Sequence, residues 1–536
     1  MSEKPLVDVS TIDRDAPSHG RASTRSLLAL TIVSHPMAHR AGERVLLEGL
    51  EAGQEVSLSR SSPDFSRPGQ TLGRPLADPF LSRKPLWLQP MPGGGVRLRA
   101  SESGLRVVVE REPLVTEREL PLDALEQGVP VELSERVVVL LHRTSGETPP
   151  GEDLDMVGQS GGVLRVREDI ARVADLDIPV LIRGETGAGK ELVARALHQR
   201  SPRRQGRFIS VNMGALPKEL AAAELFGARR GAYTGANQDR EGFFRSAHGG
   251  SLFLDEVGEA SPEVQVLLLR VLETREVYPV GGSAPVPVDV RLVAATDANL
   301  EEQIQEVLFK APLLHRLAGY EIQVPPLRER REDIGPLFLH FARQELEATG
   351  EAWRLEPENP QAEPWLPTAL AARLVRYAWP GNIRQLRNLA RQLVIRSRGL
   401  PCLQADPRLE QELEGGSVPV SRQPPASALP AASAAPAPSR RKASEIGGEE
   451  LQAALRESGW DLKAAASQLG ISRGSLYDLI ERSPHIRTSK DLSLEEVTQC
   501  FHECHGDVEA MVKRLEVSKR GLLRRLRELG LDPGAP

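Results

Sequence analysis

The apolar run Ile178-Pro179-Val180-Leu181-Ile182 feeds Gly184-Glu185-Thr186-Gly187-Ala188-Gly189-Lys190-Glu191 and then the helical pattern Leu192-Val193-Ala194-Arg195-Ala196-Leu197. Strand, glycine-rich loop and helix in that order leave few folds open, because the strand must lie in a sheet whose carboxyl edge carries the loop. The glycines let successive backbone N–H groups approach phosphate oxygens, the helix N-terminus favours their charge, and Lys190 reaches the β- and γ-phosphates. Glu191 stands where most loops of this kind carry Ser or Thr. A Mg²⁺ bound with ATP therefore lacks one hydroxyl ligand and relies on water, phosphates and carboxylates from elsewhere.

The apolar strand Ser251-Leu252-Phe253-Leu254 ends in Asp255-Glu256 and supplies such carboxylates. Asp255 is placed to hold the metal and Glu256 to polarise the water that attacks the γ-phosphate. A third strand, Val288 to Thr296, ends in Thr296-Asp297, where a polar sensor of the γ-phosphate belongs. Alternating strands and helices imply a parallel sheet with the nucleotide at its carboxyl edge. Between the two halves of this site lies Gly231-Ala232-Tyr233-Thr234-Gly235-Ala236. Its bracketing glycines permit a tight turn with Tyr233 at the tip, and an exposed aromatic tip meets a partner.

Residues 152 to about 400 resemble the AAA+ domain of bacterial sigma-54-dependent transcription activators, the enhancer-binding proteins. The resemblance rests on the phosphate loop, the Gly231–Ala236 loop, Glu224-Leu225-Phe226-Gly227, Leu268 to Leu272, Pro325 to Ile334 and Trp379-Pro380-Gly381-Asn382-Ile383-Arg384-Gln385-Leu386-Arg387-Asn388. It implies an α/β ATPase core over 152–328 and a helical lid over 329–404. It also implies that Asn212 restrains Glu256 until a partner is engaged, and that Arg384 senses bound nucleotide. By the same resemblance Arg316 is a finger reaching the neighbouring subunit's site in a ring, usually a hexamer, and the Gly231–Ala236 loop contacts sigma-54 RNA polymerase. The chain departs from the family pattern at Tyr233 for Phe, Asp297 for Asn and Lys310 for a second arginine, which loses a planar fork at a catalytic position. Pro312 and His315 also break it. These departures bear on the hydrolysis rate.

At 536 residues the chain has room for several domains, each with a core. Its formal charge of −6 gives no global nucleic-acid signal, so DNA contact must come from a local patch. Three cysteines, Cys402, Cys500 and Cys504, argue against a disulfide framework and fit a reducing cytoplasm. Neither a signal peptide nor a membrane-spanning run is expected. Cys500, His502, Cys504 and His505 crowd one helical pattern with no second ligand pair nearby, which argues against a metal site there.

Residues 1–24 are polar without periodicity and read as a disordered tail. Residues 25–145 hold short apolar runs such as Leu27 to Val33, Leu105 to Val109 and Val137 to Leu141, broken by Gly, Pro and Ser, the pattern of a β-sandwich. Thr71-Leu72-Gly73-Arg74 followed by Leu81-Ser82-Arg83 resembles the forkhead-associated domain, a reader of phosphothreonine. That resemblance implies that Arg74 and Ser82 hold phosphate oxygens, with Arg83 beside them, and that a phosphothreonine protein is a partner. Pro85 stands where that family has a structural histidine. A sandwich used only for contacts within the ring is the alternative.

Residues 405–447 read as a linker, Pro-, Ala- and Ser-rich from 414 on. Beyond it, 449–482 and 495–528 align without gaps at a spacing of forty-six. Each copy, over 448–487 and 492–531, resembles a Fis-type helix-turn-helix, with Ser472 or Ser518 capping the recognition helix. The first recognition helix carries Asp478 and Glu481, whereas Lys513 to Arg527 holds seven basic residues against Glu516 alone. Phosphate contacts are thus expected mainly from Ser518, Lys519, Arg520, Arg524 and Arg525, with Ser472 and Arg473 secondary.

The whole reads as a multidomain chain: a forkhead-associated-like sandwich, an α/β AAA+ ATPase with a helical lid, and a tandem all-α tail. Its expected function is ATP-dependent activation of sigma-54 RNA polymerase from upstream enhancer DNA. The alternative is a DNA-binding regulator whose ring is impaired in hydrolysis and serves as scaffold or repressor.

Overall fold

Strand Val137–Ser145 carries five consecutive apolar residues because both of its faces are buried. Successive side chains of a strand point to opposite faces. Val137, Val139 and Leu141 enter one apolar core, while Val138 and Leu140 enter another. The same division runs along its antiparallel neighbour Ser26–Ser34, where Leu28, Leu30 and Ile32 face the first core and Val33 the second.

The computed structural model describes residues 26–102, 104–145, 153–232, 238–355, 361, 363–415, 448–458, 460 and separate stretches between 465 and 526. They form two compact units, one up to Gln423 and one from Pro424 onward. The first core belongs to a sandwich of two antiparallel sheets. One sheet has six strands in the order Arg44–Leu46, Ser26–Ser34, Val137–Ser145, Val129–Leu133, Val107–Val109, Glu112–Pro113. The other has four, Val56–Leu58, Leu86–Pro90, Val96–Arg99, Glu117–Leu120.

The second core belongs to the helical lid, built from Ile334–Ala348, Thr368–Arg376, Asn382–Arg396 and Pro407–Gly415. Val33, Ala38, Val138 and Leu140 of the sandwich lie in one apolar cluster with Leu327, Phe338, Leu366 and Leu374 of the lid side. Ser34 Oγ donates to the Leu366 carbonyl at 3.0 Å across the junction. The lid extends past the expected boundary at 404, because Leu409 and Leu413, one helical turn apart, enter the lid core from a helix in the segment read as linker. Beside the junction a cavity of about 810 Å³ opens between Arg44, Arg67, Gln70, Asp155, Glu332 and His340. Glu332 keeps partial access to it, yet burial and the adjacent Asp333 carboxylate push its acid up to about 8.

The ATPase core is a five-stranded parallel sheet, β1 (Val180–Arg183), β2 (Phe208–Asn212), β3 (Ser251–Asp255), β4 (Arg291–Thr296) and β5 (Tyr320–Gln323), ordered β2-β3-β4-β1-β5. Parallel strands covered on both faces read as continuous apolar runs, and β3 and β4 do so. In register, Asn212 lies opposite Asp255 and Arg183 opposite Thr296, so the carboxyl ends of all four strands converge.

In the tail, helices Gly448–Glu457, Leu494–Glu503 and Val508–Leu515 are described. Repeat-equivalent pairs Leu451 and Val497, Leu469 and Leu515, and Leu476 and Leu522 all lie in one buried cluster. The two copies of the repeat therefore share a core. Among the described residues no helix is long and apolar enough to cross a membrane.

A Cβ at Gly335 would stand 2.4 Å from the Val33 carbonyl oxygen and 3.0 Å from Val33 Cα. In an ordinary helix Gly→Ala gains up to about 1 kcal/mol. Gly335→Ala should instead cost about 1–3 kcal/mol, as overpacking does, and lower the thermal midpoint of the full chain by several degrees. A raised midpoint would show that the sandwich and lid do not meet at this turn.

Candidate functional site

The phosphate loop follows β1 and ends at helix Lys190–Gln199, whose cap Gly189 adopts φ 110°. Lys190 is buried, and its Nζ donates to the carbonyls of Gly184 (2.8 Å) and Glu185 (3.3 Å). Burial lowers the pKa of its ammonium, while the nearby carboxylates of Asp297, Asp255 and Glu256 oppose that shift. Burial raises the pKa of Asp255, and Lys190 opposes it. The site is thus a buried cation with carboxylates close enough to act on it, a charge arrangement that suits nucleotide phosphates.

Asp255 ends β3, and its Oδ1 accepts from the Glu256 N–H at 3.1 Å. Glu256 sits at φ 56°, a conformation uncommon outside glycine and frequent at functional positions. Its Oε2 lies 2.7 Å from where a Cβ on Gly214 would stand, with Asn212 Oδ1 at 3.4 Å from the same point. Asn212 and Glu256 are therefore neighbours, and Asn212 Oδ1 itself accepts from the Ala215 N–H at 3.0 Å. Thr296 Oγ1 accepts from the Ala298 N–H at 3.1 Å. Thr186 of the loop donates to Asp297, which brings the end of β4 onto the phosphate loop.

Glu191 pairs with Arg195 at 2.8 Å on the exposed face of its helix. Arg384 extends its N–H to the Gly187 carbonyl at 3.4 Å, with its side chain exposed. Lys310 caps helix Ala311–Leu317 and Arg316 lies on its exposed face, 3.7 Å from Glu273; neither bonds to its own phosphate loop among the described residues. Behind that loop lies an apolar cavity of about 90 Å³ lined in part by Val157, Leu192, Val324, Pro325 and Ile383. Sequence reasoning missed it, since its walls come from segments far apart in the chain; Met156-Val157-Gly158 ahead of helix Gly161–Val173 was the available signal.

The stem of the Gly231 loop is firmly held. Ala228 bridges Arg240 and Val280, Asp239 binds both the Arg229 side chain (2.6 Å) and the Arg230 N–H (2.8 Å), and Phe226 stacks on Phe244. Gly231 and Ala232 continue the stem, whereas Tyr233, Thr234, Gly235 and Ala236 lie outside the described residues. So do Ser472, Arg473, Ser518, Lys519, Arg520 and Arg524 of the tail; Arg525 is described and donates to the Leu492 carbonyl at 3.4 Å.

On the sandwich, Arg74 is half-exposed and donates to Glu43 at 2.8 Å and to His39 at 2.9 Å. Fully buried Arg40 binds the other Glu43 oxygen and the carbonyls of Arg74, Pro75 and Leu76, which fixes the loop. Ser82 Oγ accepts from the Lys84 N–H at 3.0 Å, and Arg83 is exposed.

With this geometry in place, comparison with known proteins is direct. Residues 156–323 match the sigma-54 interaction domain, 328–417 an AAA+ ATPase lid domain, and 444–480, in the first tail copy, the bacterial regulatory protein Fis family. The chain is 48% identical over 272 residues to the DNA-binding transcriptional regulator NtrC of Salmonella typhimurium, covering 51% of this chain and 55% of that protein. It thus spans about half the length of this and other enterobacterial NtrC relatives. It is 37% identical to the C4-dicarboxylate transport transcriptional regulatory protein DctD of Pseudomonas aeruginosa, over 68% of this chain and 73% of that one. To the NtrC of Azospirillum brasilense it is 34% identical over 81% of this chain and 85% of the relative. By that reach, together with the matched ATPase, lid and Fis-type segments, the chain belongs to the family of transcriptional regulators built on a sigma-54 interaction domain.

Proposed function

We propose that this chain is a cytoplasmic ATP-driven transcription activator that binds upstream DNA through its tail, assembles a ring and remodels sigma-54 RNA polymerase. The observation that carries the reading is the convergence of the phosphate loop with the Asp255 end of β3 and the Thr296-Asp297 end of β4 at the carboxyl edge of the sheet, Asp297 being held on the loop by Thr186. In this reading the phosphate loop, Gly184 to Glu191, takes the β- and γ-phosphates, with Lys190 turning from its two carbonyls to the phosphate charge. No group of three or more metal-capable side chains occurs among the described residues, so a Mg²⁺ fits here only with Asp255 plus phosphate and water oxygens. Bound there, it would neutralise charge on the transferring phosphoryl group.

Glu256 would accept a proton from the attacking water, and Asn212, its neighbour across Gly214, would set when it is free to do so. Thr296 and Asp297 would sense the γ-phosphate, and Arg384 would report its presence to the lid. The exposure of Arg316 and Lys310 supports a role in the neighbouring subunit's site, as a hexameric ring requires. The braced stem suits a loop whose residues Gly231 to Ala236 push on sigma-54. On the sandwich, Arg74 with Ser82 and Arg83 would take a phosphothreonine, the phosphate competing with Glu43 for Arg74. In the tail, Ser518, Lys519, Arg520, Arg524 and Arg525 would take most DNA phosphates, and Ser472 and Arg473 fewer.

One observation favours a second reading, a DNA-binding regulator with a slow ring. Asp297 places a carboxylate on the phosphate loop through Thr186, where it repels the γ-phosphate.

ATP turnover by the full chain separates the two readings. In the first, Glu256→Gln keeps ATP binding and stops turnover, while Lys190→Ala loses binding; normal ATP affinity in the Lys190 variant would sink the assignment. Thr234→Ala should retain ATP hydrolysis yet fail to form open complexes on a sigma-54 promoter, and persistent transcription would reduce the loop to a structural turn. Replacing Lys519, Arg520 and Arg524 by Ala should weaken DNA binding and flatten its salt dependence by about one unit of slope per lost phosphate contact. An unchanged slope would move the DNA contact to the first copy.

A further inference from the structure

The second residue of the phosphate loop is tied to the lid from two sides. Arg328 donates to both Glu185 carboxylate oxygens, at 2.8 and 2.7 Å, across 143 residues of chain. Asn382 Nδ2 donates to the same carboxylate at 3.0 Å and to the Thr186 carbonyl at 3.1 Å, across 197 and 196 residues. Asn382 Oδ1 accepts from the Leu327 N–H at 2.8 Å, so one amide joins the phosphate loop, the segment before the lid and the start of a lid helix. Asn382 is fully buried at φ 51°, a conformation Asn tolerates better than most residues. The contact is close elsewhere too: a Cβ on Gly187 would stand 2.5 Å from the Gly381 carbonyl oxygen. Arg330, also buried, donates to the Ala188 carbonyl at 2.9 Å.

An exposed ion pair alone would contribute little, about 0–1 kcal/mol. Here the carboxylate is gripped bidentately by a guanidinium and again by a buried amide, the geometry in which charge-assisted bonds are strong and directional. These bonds also lower the pKa of the Glu185 acid, with Arg328 the first cause. The same residue's backbone carbonyl, with that of Gly184, accepts from Lys190 Nζ, so Glu185 is held through both its side chain and its main chain.

We propose that Arg328 and Asn382 are positioning residues for nucleotide: by holding Glu185 they set the backbone of the phosphate loop in the conformation that receives phosphate and make loop and lid one element. This rests on the reading of the site as an ATP site. It accounts for an acid at a loop position whose side chain is bound by Arg328 and Asn382. The strap acts before chemistry, so its loss is felt in binding.

The test uses the full chain and ATP, with dissociation constants measured by calorimetry and KM and kcat by phosphate release. Arg328→Ala and Glu185→Ala should each weaken ATP binding about tenfold, the size of one lost charge-assisted bond. The double variant should be no weaker than either single, because both remove the same strap. KM should rise with the dissociation constant while kcat at saturation changes less than about threefold. Arg328→Lys should recover little, since an ammonium lacks the planar fork. If Arg328→Ala fails to fold, Arg328→Lys and Arg328→Gln at the same partly exposed position carry the measurement. Wild-type binding with unchanged affinity in the variants, or losses that multiply in the double variant, overturns the proposal and leaves the ATP reading standing. A wild-type chain that binds no ATP overturns both.

Discussion

The lid is held by an apolar core that it does not own alone. Val33, Val138 and Leu140, from the outer face of the sandwich, are almost wholly excluded from water among lid residues. Full burial of such a side chain contributes roughly 1.5–3 kcal/mol, whereas the ion pair at the same junction, Arg376 with Glu132 at 4.0 Å, is itself largely buried, so the cost of taking both charges out of water offsets much of their attraction. The apolar term decides the geometry, and charges only tune it. The sandwich is thereby packed as an extension of the lid. The chain between the ATPase sheet and the lid is short: Leu327 to Pro336 meets the phosphate loop through Arg330, the start of helix Gly161–Val173 through Asp333, and the sandwich through Gly335 and Pro336.

The nucleotide site balances opposing charges closely. Lys190 and Asp255 are both disfavoured in their charged forms by burial, and each is rescued by the other. A buried ammonium of this kind suits nucleotide phosphates, whose charge favours its protonated form. The Lys190 bonds to Gly184 and Glu185 carbonyls keep the ammonium satisfied meanwhile.

What could be read from the sequence follows the range of the interactions. Strand, phosphate loop and helix are contiguous, so Lys190 and the Asp255-Glu256 pair were legible from spacing and burial type, and the sheet follows from their alternation. The Glu185 strap was not, because its partners lie 143 and 197 residues away and nothing local marks Arg328 among its neighbouring arginines. The docking face of the sandwich left a trace that was misread. Val137 to Leu141 is a continuous apolar run, and a sandwich strand with one wet face should alternate. Five apolar residues in a row already required a second buried face. The lid boundary fell short for a related reason: Leu409 and Leu413 are only two apolar positions in a polar stretch, too few to outweigh the Pro, Ala and Ser beyond them.

The tail shows the same limit from the other side. The repeat was legible because pairs such as Leu451 and Val497 recur at fixed spacing, yet spacing cannot say whether equivalent residues form two cores or one. They form one, with Leu469, Leu476, Leu515 and Leu522 in a single cluster. Two short helical copies have too little interior to stand well apart, and pooling their apolar faces is the economical solution for domains of this size. Sharing a core frees the copies from being alike outside it. The first carries Asp478 and Glu481 on the segment where the second carries Arg524 and Arg527, while both supply apolar residues to one interior. Charge divergence between copies that keep matched apolar positions is the pattern expected when a shared interior constrains both and their surfaces stay free to differ.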